Sequence, residues 1–203
     1  MRPEISALAA GFGTGMSLIA AIGAQNAYLL RQGIRREHVP AIVAICAGSD
    51  VLLITLGIAG VGAVVREWPR MLTAAAWIGA AFLICYGLAA ARRALRPGRL
   101  DPGKGGPHGL RAAVLVCLAV TWLNPQVYLD TMLLLGSLAN TYGAARWLFG
   151  LGAVAGSVLW FSAVGFGARV LAPLFARPAA WRALDGLIAV TMVAIGVRVA
   201  GIA

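Results

Sequence analysis

The chain has 203 residues, 61% of them hydrophobic and only 12% charged, with a formal net charge of +10. That apolar share, against about 45–50% in soluble domains, excludes a water-soluble globular protein and points to a polytopic membrane protein. The basic residues sit in short loops between apolar runs instead of along one stripe, which excludes a nucleic-acid-binding face.

Six apolar segments follow one another at approximately 5–30, 39–65, 71–91, 112–136, 147–170 and 184–202. Each approaches the roughly 20 residues that a spanning helix needs. The first is too long for a signal-peptide core and lacks a small-residue cleavage site, so it reads as the first span. Breakers separate the segments: Pro40, Pro69, the glycine-rich stretch from Pro97 to Pro107, Pro173 and Pro178. Cys46, Cys85 and Cys117 lie inside apolar segments, show no metal or redox spacing, and read as small core residues. The small residues Gly11 to Gly15, Gly152 and Gly156 read as helix-packing positions, since no strand precedes them and no Lys-Ser/Thr follows. Trp68, Trp147 and Trp181 near segment ends suit interfacial anchoring, whereas the deeper Trp122 and Trp160 read as core packing.

With the loop 92–111 inside the cell, twelve Lys and Arg residues lie on the cytoplasmic side and five on the other. The positive-inside rule then places both termini outside. The expected architecture is an all-α membrane protein of six spanning helices. It divides into a first three-helix repeat (1–91), a basic cytoplasmic loop (92–111) and a second repeat (112–203). An odd number of spans per half inverts one half relative to the other, the geometry of transporters that bind substrate near the midplane at discontinuous helices. Asp185 and Arg198 fall within the sixth segment, which leaves open a five-span version with a re-entrant or interfacial piece.

Discontinuity is expected in spans one and four. Ile22 to Leu30 reads I-G-A-Q-N-A-Y-L-L and Trp122 to Asp130 reads W-L-N-P-Q-V-Y-L-D; each sets Asn and Gln beside a helix weakener and follows them with Tyr-Leu. Pro125 lacks a backbone donor and crowds the preceding turn, which frees carbonyls near Thr121 and Trp122 at membrane depth. Gln25 and Asn26 are open to two roles, contact with a substrate carboxylate or satisfaction of carbonyls in a kinked helix. Asp130 stands one turn after Gln126, and Tyr128 one turn after Asn124, so polar groups form adjacent stripes. Asp50 follows Gly48 and Ser49 in the middle of the second segment. A carboxylate on a spanning helix costs about 2.5–3.5 kcal/mol, and such residues are functional candidates by default. Two acids without an evident buried basic partner suit an ammonium or guanidinium ligand, proton exchange, or both. Arg31, Arg35 and Arg36 read as a topology-setting cluster that meets anionic lipid heads. His38 and His108 read as solvated loop imidazoles.

Taken together, Gly23 to Gly33 (G-A-Q-N-A-Y-L-L-R-Q-G), Asp50 in the second span, and Trp122 to Asp130 resemble the LysE-type exporters of basic amino acids. The resemblance runs over essentially the whole chain. Neutral amino-acid exporters of the wider superfamily tend to carry Pro-Gly-Pro where this chain has Gly23-Ala24-Gln25-Asn26. The resemblance implies a multi-pass protein of the bacterial inner membrane that exports L-lysine, L-arginine or close relatives, driven by the proton motive force. It makes Asp50 and Asp130 the important residues, joined by Gln25, Asn26, Asn124 and Pro125; Gln126 and Tyr128 complete the candidate set. The partners expected are a basic amino acid, protons, membrane lipids and, from the glycine-rich faces, a second copy of the chain; no cofactor or metal is expected. Two rivals use the same acids, an intramembrane aspartyl protease and a cation-selective channel. The first needs two carboxyls close enough to share a proton, the second a continuous polar stripe.

Overall fold

The computed structural model describes residues 3–20, 23–60, 69–95, 109–171, 173–176 and 178–202, and among them every regular element is helical. In chain order these are α1 (Pro3–Ile19), α2 (Ala24–Arg35), α3 (Val39–Ile58), α4 (Pro69–Leu95) and α5 (Leu110–Trp122). Next comes α6, a composite of Pro125–Val127, the π-helical Tyr128–Leu135 and the α-helical Gly136–Thr141. A 3-10 turn (Gly143–Ala145) leads into α7 (Arg146–Gly167), and two more (Ala168–Leu171, Leu174–Ala176) precede α8 (Pro178–Ile202).

Four stretches are long and apolar enough to cross a bilayer: Val39–Ile58, Ala76–Leu95, Gly143–Leu171 and Ala179–Gly201. A fifth is obtained if α1 and α2, bent by 80° from one another, form one broken span. The first apolar segment is therefore discontinuous, as its Gly-Ala-Gln-Asn string led us to expect. The fourth is interrupted too, because α5 has only 13 residues and stops at Trp122 before the helix resumes at Pro125. The sixth segment is a continuous helix of 25 residues despite Asp185 and Arg198, which removes the need for a re-entrant piece there. In the second segment α3 ends at Ile58 and the chain turns through Gly60 at φ 89°; the expected boundary at residue 65 lies outside the described residues. The helix of the third runs on through Arg92 and Arg93, residues assigned above to the central loop. The remainder of that loop, 96–108, lies outside the described residues, as do Arg2, Arg66, Trp68 and Arg177.

Small residues set the helix spacing. A Cβ on Gly11 would overlap the Phe149 carbonyl, one on Gly152 the Leu8 carbonyl, and one on Gly15 would come within 2.8 Å of the Ala153 backbone. Hence α1 lies parallel to α7 at backbone contact, the small-residue packing that membranes favour. Gly57 and Gly136 likewise bring α3 and α6 together: a Cβ on Gly57 would come within 2.6 Å of the Met132 carbonyl, and one on Gly136 within 2.6 Å of the Gly57 backbone. Antiparallel pairs complete the bundle. Gly165 meets Val39 and Val43 while Gly150 meets Ile58, fixing α3 against α7; Gly87 meets Val193 while Gly196 meets Ile84, fixing α4 against α8. Cys46 and Cys117 are buried with their Sγ atoms 3.6 Å apart, joining α3 to α5 as core residues. Cys85 is exposed instead, on the outer face of α4. Trp147 is also exposed, with the Arg146 guanidinium 5.8 Å from its ring centre, as an interfacial anchor requires.

Candidate functional site

The two interrupted apolar segments repair their own ends. Where α1 stops, the Asn26 Nδ2 donates to the Ile19 carbonyl at 2.7 Å, and the Trp160 indole on α7 donates to the Asn26 Oδ1 at 3.1 Å. Where α5 stops, the Tyr128 hydroxyl donates to the Trp122 carbonyl at 2.7 Å, one of the groups that Pro125 was expected to free. The Asn124 Oδ1 accepts from the Gln126 backbone N–H at 3.2 Å and so caps the resumed helix. The Trp122 indole in turn donates to the Ser49 Oγ at 3.1 Å, the residue beside Asp50. Both deeper tryptophans thus brace the breaks in addition to packing.

Between the breaks lies a cavity of about 270 Å3. Gln25, Asn26, Asp50, Asn124, Gln126 and Asp130 all line it, six of the eight residues singled out from the sequence. Tyr128 does not; its hydroxyl is spent on the Trp122 carbonyl at the helix end. Pro125 is the first residue of the resumed helix. Leu18, Ile19 and Phe161 supply apolar wall.

Asp50 is 2% exposed and accepts a 2.7 Å hydrogen bond from the Ser157 hydroxyl of α7. Asp130 sits in the π-helical part of α6 and accepts from the Gln126 Nε2 through both oxygens, at 2.9 and 3.1 Å. A π-helical stretch inside a spanning helix is a frequent mark of a functional site, because the wider turn displaces side chains and carbonyls. Neither acid forms an ion pair among the described residues. Among the described residues each carboxyl is held by hydrogen bonds alone, which leaves it open to an incoming cation. Of the two amides at the first break, Asn26 is committed to the kink, whereas the Gln25 side chain is buried beside the Cys46 thiol of α3.

Two features escaped the sequence. Arg198, at the far end of α8, also lines the cavity; the rule that promoted Asp50, that an ionisable residue within a span is functional, points to it equally. The second is a charged cluster outside the cavity. Arg31 Nη1 lies 2.5 Å from Asp185 Oδ1, and Arg93 Nε lies 3.3 Å from the same oxygen, so α2, α4 and α8 meet on one buried carboxylate. Arg35 pairs with Glu37 at 2.9 Å. Arg31 and Arg35, read from the sequence as a topology-setting cluster, thus each turn to a carboxylate within the protein.

With this geometry in view, the chain matches the family model described as LysE type translocator over residues 16–201. A Mycobacterium tuberculosis protein named "Putative amino-acid transporter" is 54% identical over 184 residues, covering 91% of this chain and 92% of that protein. The lysine exporter LysE of Corynebacterium diphtheriae is 37% identical over 213 residues, covering 90% and 93%. The arginine exporter protein ArgO of Salmonella enteritidis is 40% identical over 185 residues, covering 90% and 87%. No solved structure matches the chain.

Proposed function

The chain belongs to the LysE type translocator family, and from that premise we propose that it exports basic L-amino acids, lysine and arginine, in exchange for inward-moving protons. Transport of amino acids across the bacterial inner membrane is the family's business; the side-chain class and the coupling are the proposal. One observation carries it: a cavity between two interrupted apolar segments is lined by Asp50 and Asp130, neither of them in an ion pair among the described residues. The names of the lysine and arginine exporters, aligned over nine-tenths of the chain, support the same substrate class.

Reading the six apolar segments as two inverted three-helix repeats suits an alternating mechanism. The order of one broken span followed by two long helices occurs twice, as α1/α2, α3, α4 and as α5/α6, α7, α8. Corresponding helices pair antiparallel, α3 with α7 and α4 with α8, as a two-fold axis in the membrane plane requires. In the inward-facing state the ionised acids attract the substrate's cationic groups. Rocking of the repeats then exposes the cavity to the outside, where protonation weakens those contacts and releases the substrate; the proton returns with the empty carrier. Moving a +1 substrate out against the membrane potential costs about 2.3 kcal/mol per 100 mV, which an inward proton offsets. Reconstituted into liposomes, the protein should move labelled lysine and arginine faster when the trans side is acidified, by roughly tenfold per pH unit at most for a one-to-one exchange. A rate indifferent to an imposed pH gradient would remove the proton from the scheme.

A further inference from the structure

A hydroxyl inside a spanning helix has a ready partner in the carbonyl one turn back, and two here take it: Thr55 donates to the Val51 carbonyl and Thr131 to the Val127 carbonyl, each at 2.6 Å. Ser157 of α7 does not. Its side chain is fully buried, and its hydroxyl donates across to the Asp50 Oδ2 of α3 at 2.7 Å, joining the two halves of the chain at a cavity-lining acid. We propose that Ser157 is a positioning residue for Asp50, holding the carboxyl in one orientation and favouring its charged form, so that this hydroxyl sets the pH range over which the substrate's cation is bound. This rests on reading the cavity as a basic amino-acid site, and adds to it the group that governs one of its acids.

Packing alone does not call for a hydroxyl at this position. Alanine would fill nearly the same space, and α3 is already held to α7 where Gly165 meets Val39 and Val43 and where Gly150 meets Ile58. Among the described residues Asp50 accepts no second hydrogen bond and forms no ion pair. A donor aimed at a carboxylate stabilises the ionised form over the neutral one, so the Ser157 hydroxyl weighs directly on the proton equilibrium of this acid. One turn further along the same face of α7, the Trp160 indole donates to the Asn26 Oδ1, so one helix face fixes the acid relative to the first break. The ionisable groups on the elements around Asp50 are Cys46 of α3 itself, Tyr28 of α2, Cys117 of α5, Tyr128 and Asp130 of α6, and Arg198 of α8; α7 carries none beyond Arg146 at its start. The two tyrosines donate to backbone carbonyls, the two thiols face each other, Asp130 is bonded to Gln126, and Arg198 makes no ion pair with Asp50. None of them takes the place of Ser157 at the Asp50 carboxyl.

The test is arginine exchange in proteoliposomes at equal pH on both sides, with the KM followed over about pH 4–9, the range in which a perturbed carboxyl titrates. In the unaltered protein the KM should fall as the pH rises and level off once the acid is ionised. In Ser157→Ala the midpoint of that curve should move to higher pH by about one unit, a tenfold change in proton affinity, while the high-pH KM and the maximal rate stay within about twofold. Ser157→Thr, which keeps the hydroxyl, should return the midpoint to its place. Ser157→Cys, close to serine in volume and a weaker donor, should lie between the two, and it decides the matter if the threonine methyl does not fit. Superimposable pH curves, with only thermal stability lowered in the alanine and cysteine variants, would make Ser157 a structural link and overturn the inference while export stands. A KM that ignores pH in the unaltered protein would overturn it as well, by taking proton exchange away from the acid. Absence of arginine exchange by the unaltered protein would overturn the export reading and this inference with it.

Discussion

Asp50→Asn should abolish arginine export, lowering the rate about 100-fold or more at equal amounts of inserted protein. Losing the charge on one side of a buried charge-assisted pair costs about 2–5 kcal/mol, and 1.4 kcal/mol is a factor of ten. The substitution is gentle on the fold. The carboxamide fills the same volume, and its oxygen still accepts from the Ser157 hydroxyl, so the link between α3 and α7 survives. A loss of export with unchanged thermal stability in detergent therefore reports on the missing charge. Asp130→Asn should act in the same direction. Its Gln126 partner lies one turn away on the same helix, so no contact between helices depends on the ionised form. Export at normal rates by both variants would remove the carboxylates from the mechanism.

Asp185→Ala should destabilise the protein by about 3–5 kcal/mol, the usual cost of removing one member of a buried ion pair. Two guanidiniums, Arg31 and Arg93, would then face each other without the carboxylate oxygen they share. Arg93 keeps a second support, since its guanidinium stands 5.8 Å from the Tyr86 ring centre. Combining Asp185→Leu with Arg31→Met should recover most of the stability, because an apolar pair of similar volume does without the desolvation that the ions require. Thermal unfolding in detergent measures both. The cluster also has a positional consequence. It fastens α8 to α2 about 10 to 14 residues, or roughly 15–21 Å of helix, before the cavity-lining Ile195, Arg198 and Val199. The single variant should therefore impair export beyond its loss of folded protein.

What the sequence made legible is local. Asn-Pro-Gln and Gly-Ala-Gln-Asn inside apolar runs announce broken helices, because proline and glycine weaken the backbone ladder wherever they stand. Asp50 and Asp130 announce themselves because an acid in hydrocarbon is costly in any context. The cavity accordingly lies where those two strings meet. What the sequence withheld depends on contacts between distant residues. Arg31 and Asp185 are 154 positions apart, and nothing in either neighbourhood predicts the pairing; in isolation Asp185 reads as a flaw in a span and Arg31 as a topology signal. Tyr128 was grouped with the site through its spacing from Asn124, yet spacing does not show that its hydroxyl is claimed by the Trp122 carbonyl. The π-helical turn around Asp130 has no signature in residue type at all. Arg198 was counted with the outer loops, and only the packing of α8 on α4 beside α2 brings it to the cavity.

The most direct measurement is counterflow. Proteoliposomes preloaded with unlabelled arginine and diluted into a trace of labelled arginine should accumulate label transiently above its equilibrium level, because a carrier with one alternately exposed site exchanges faster than it moves empty. Preloading with leucine should give no such overshoot. Label that only equilibrates, at the same rate whatever is inside, would mean a pore, and label that does not enter at all would mean that the cavity between the broken spans serves something other than a basic amino acid.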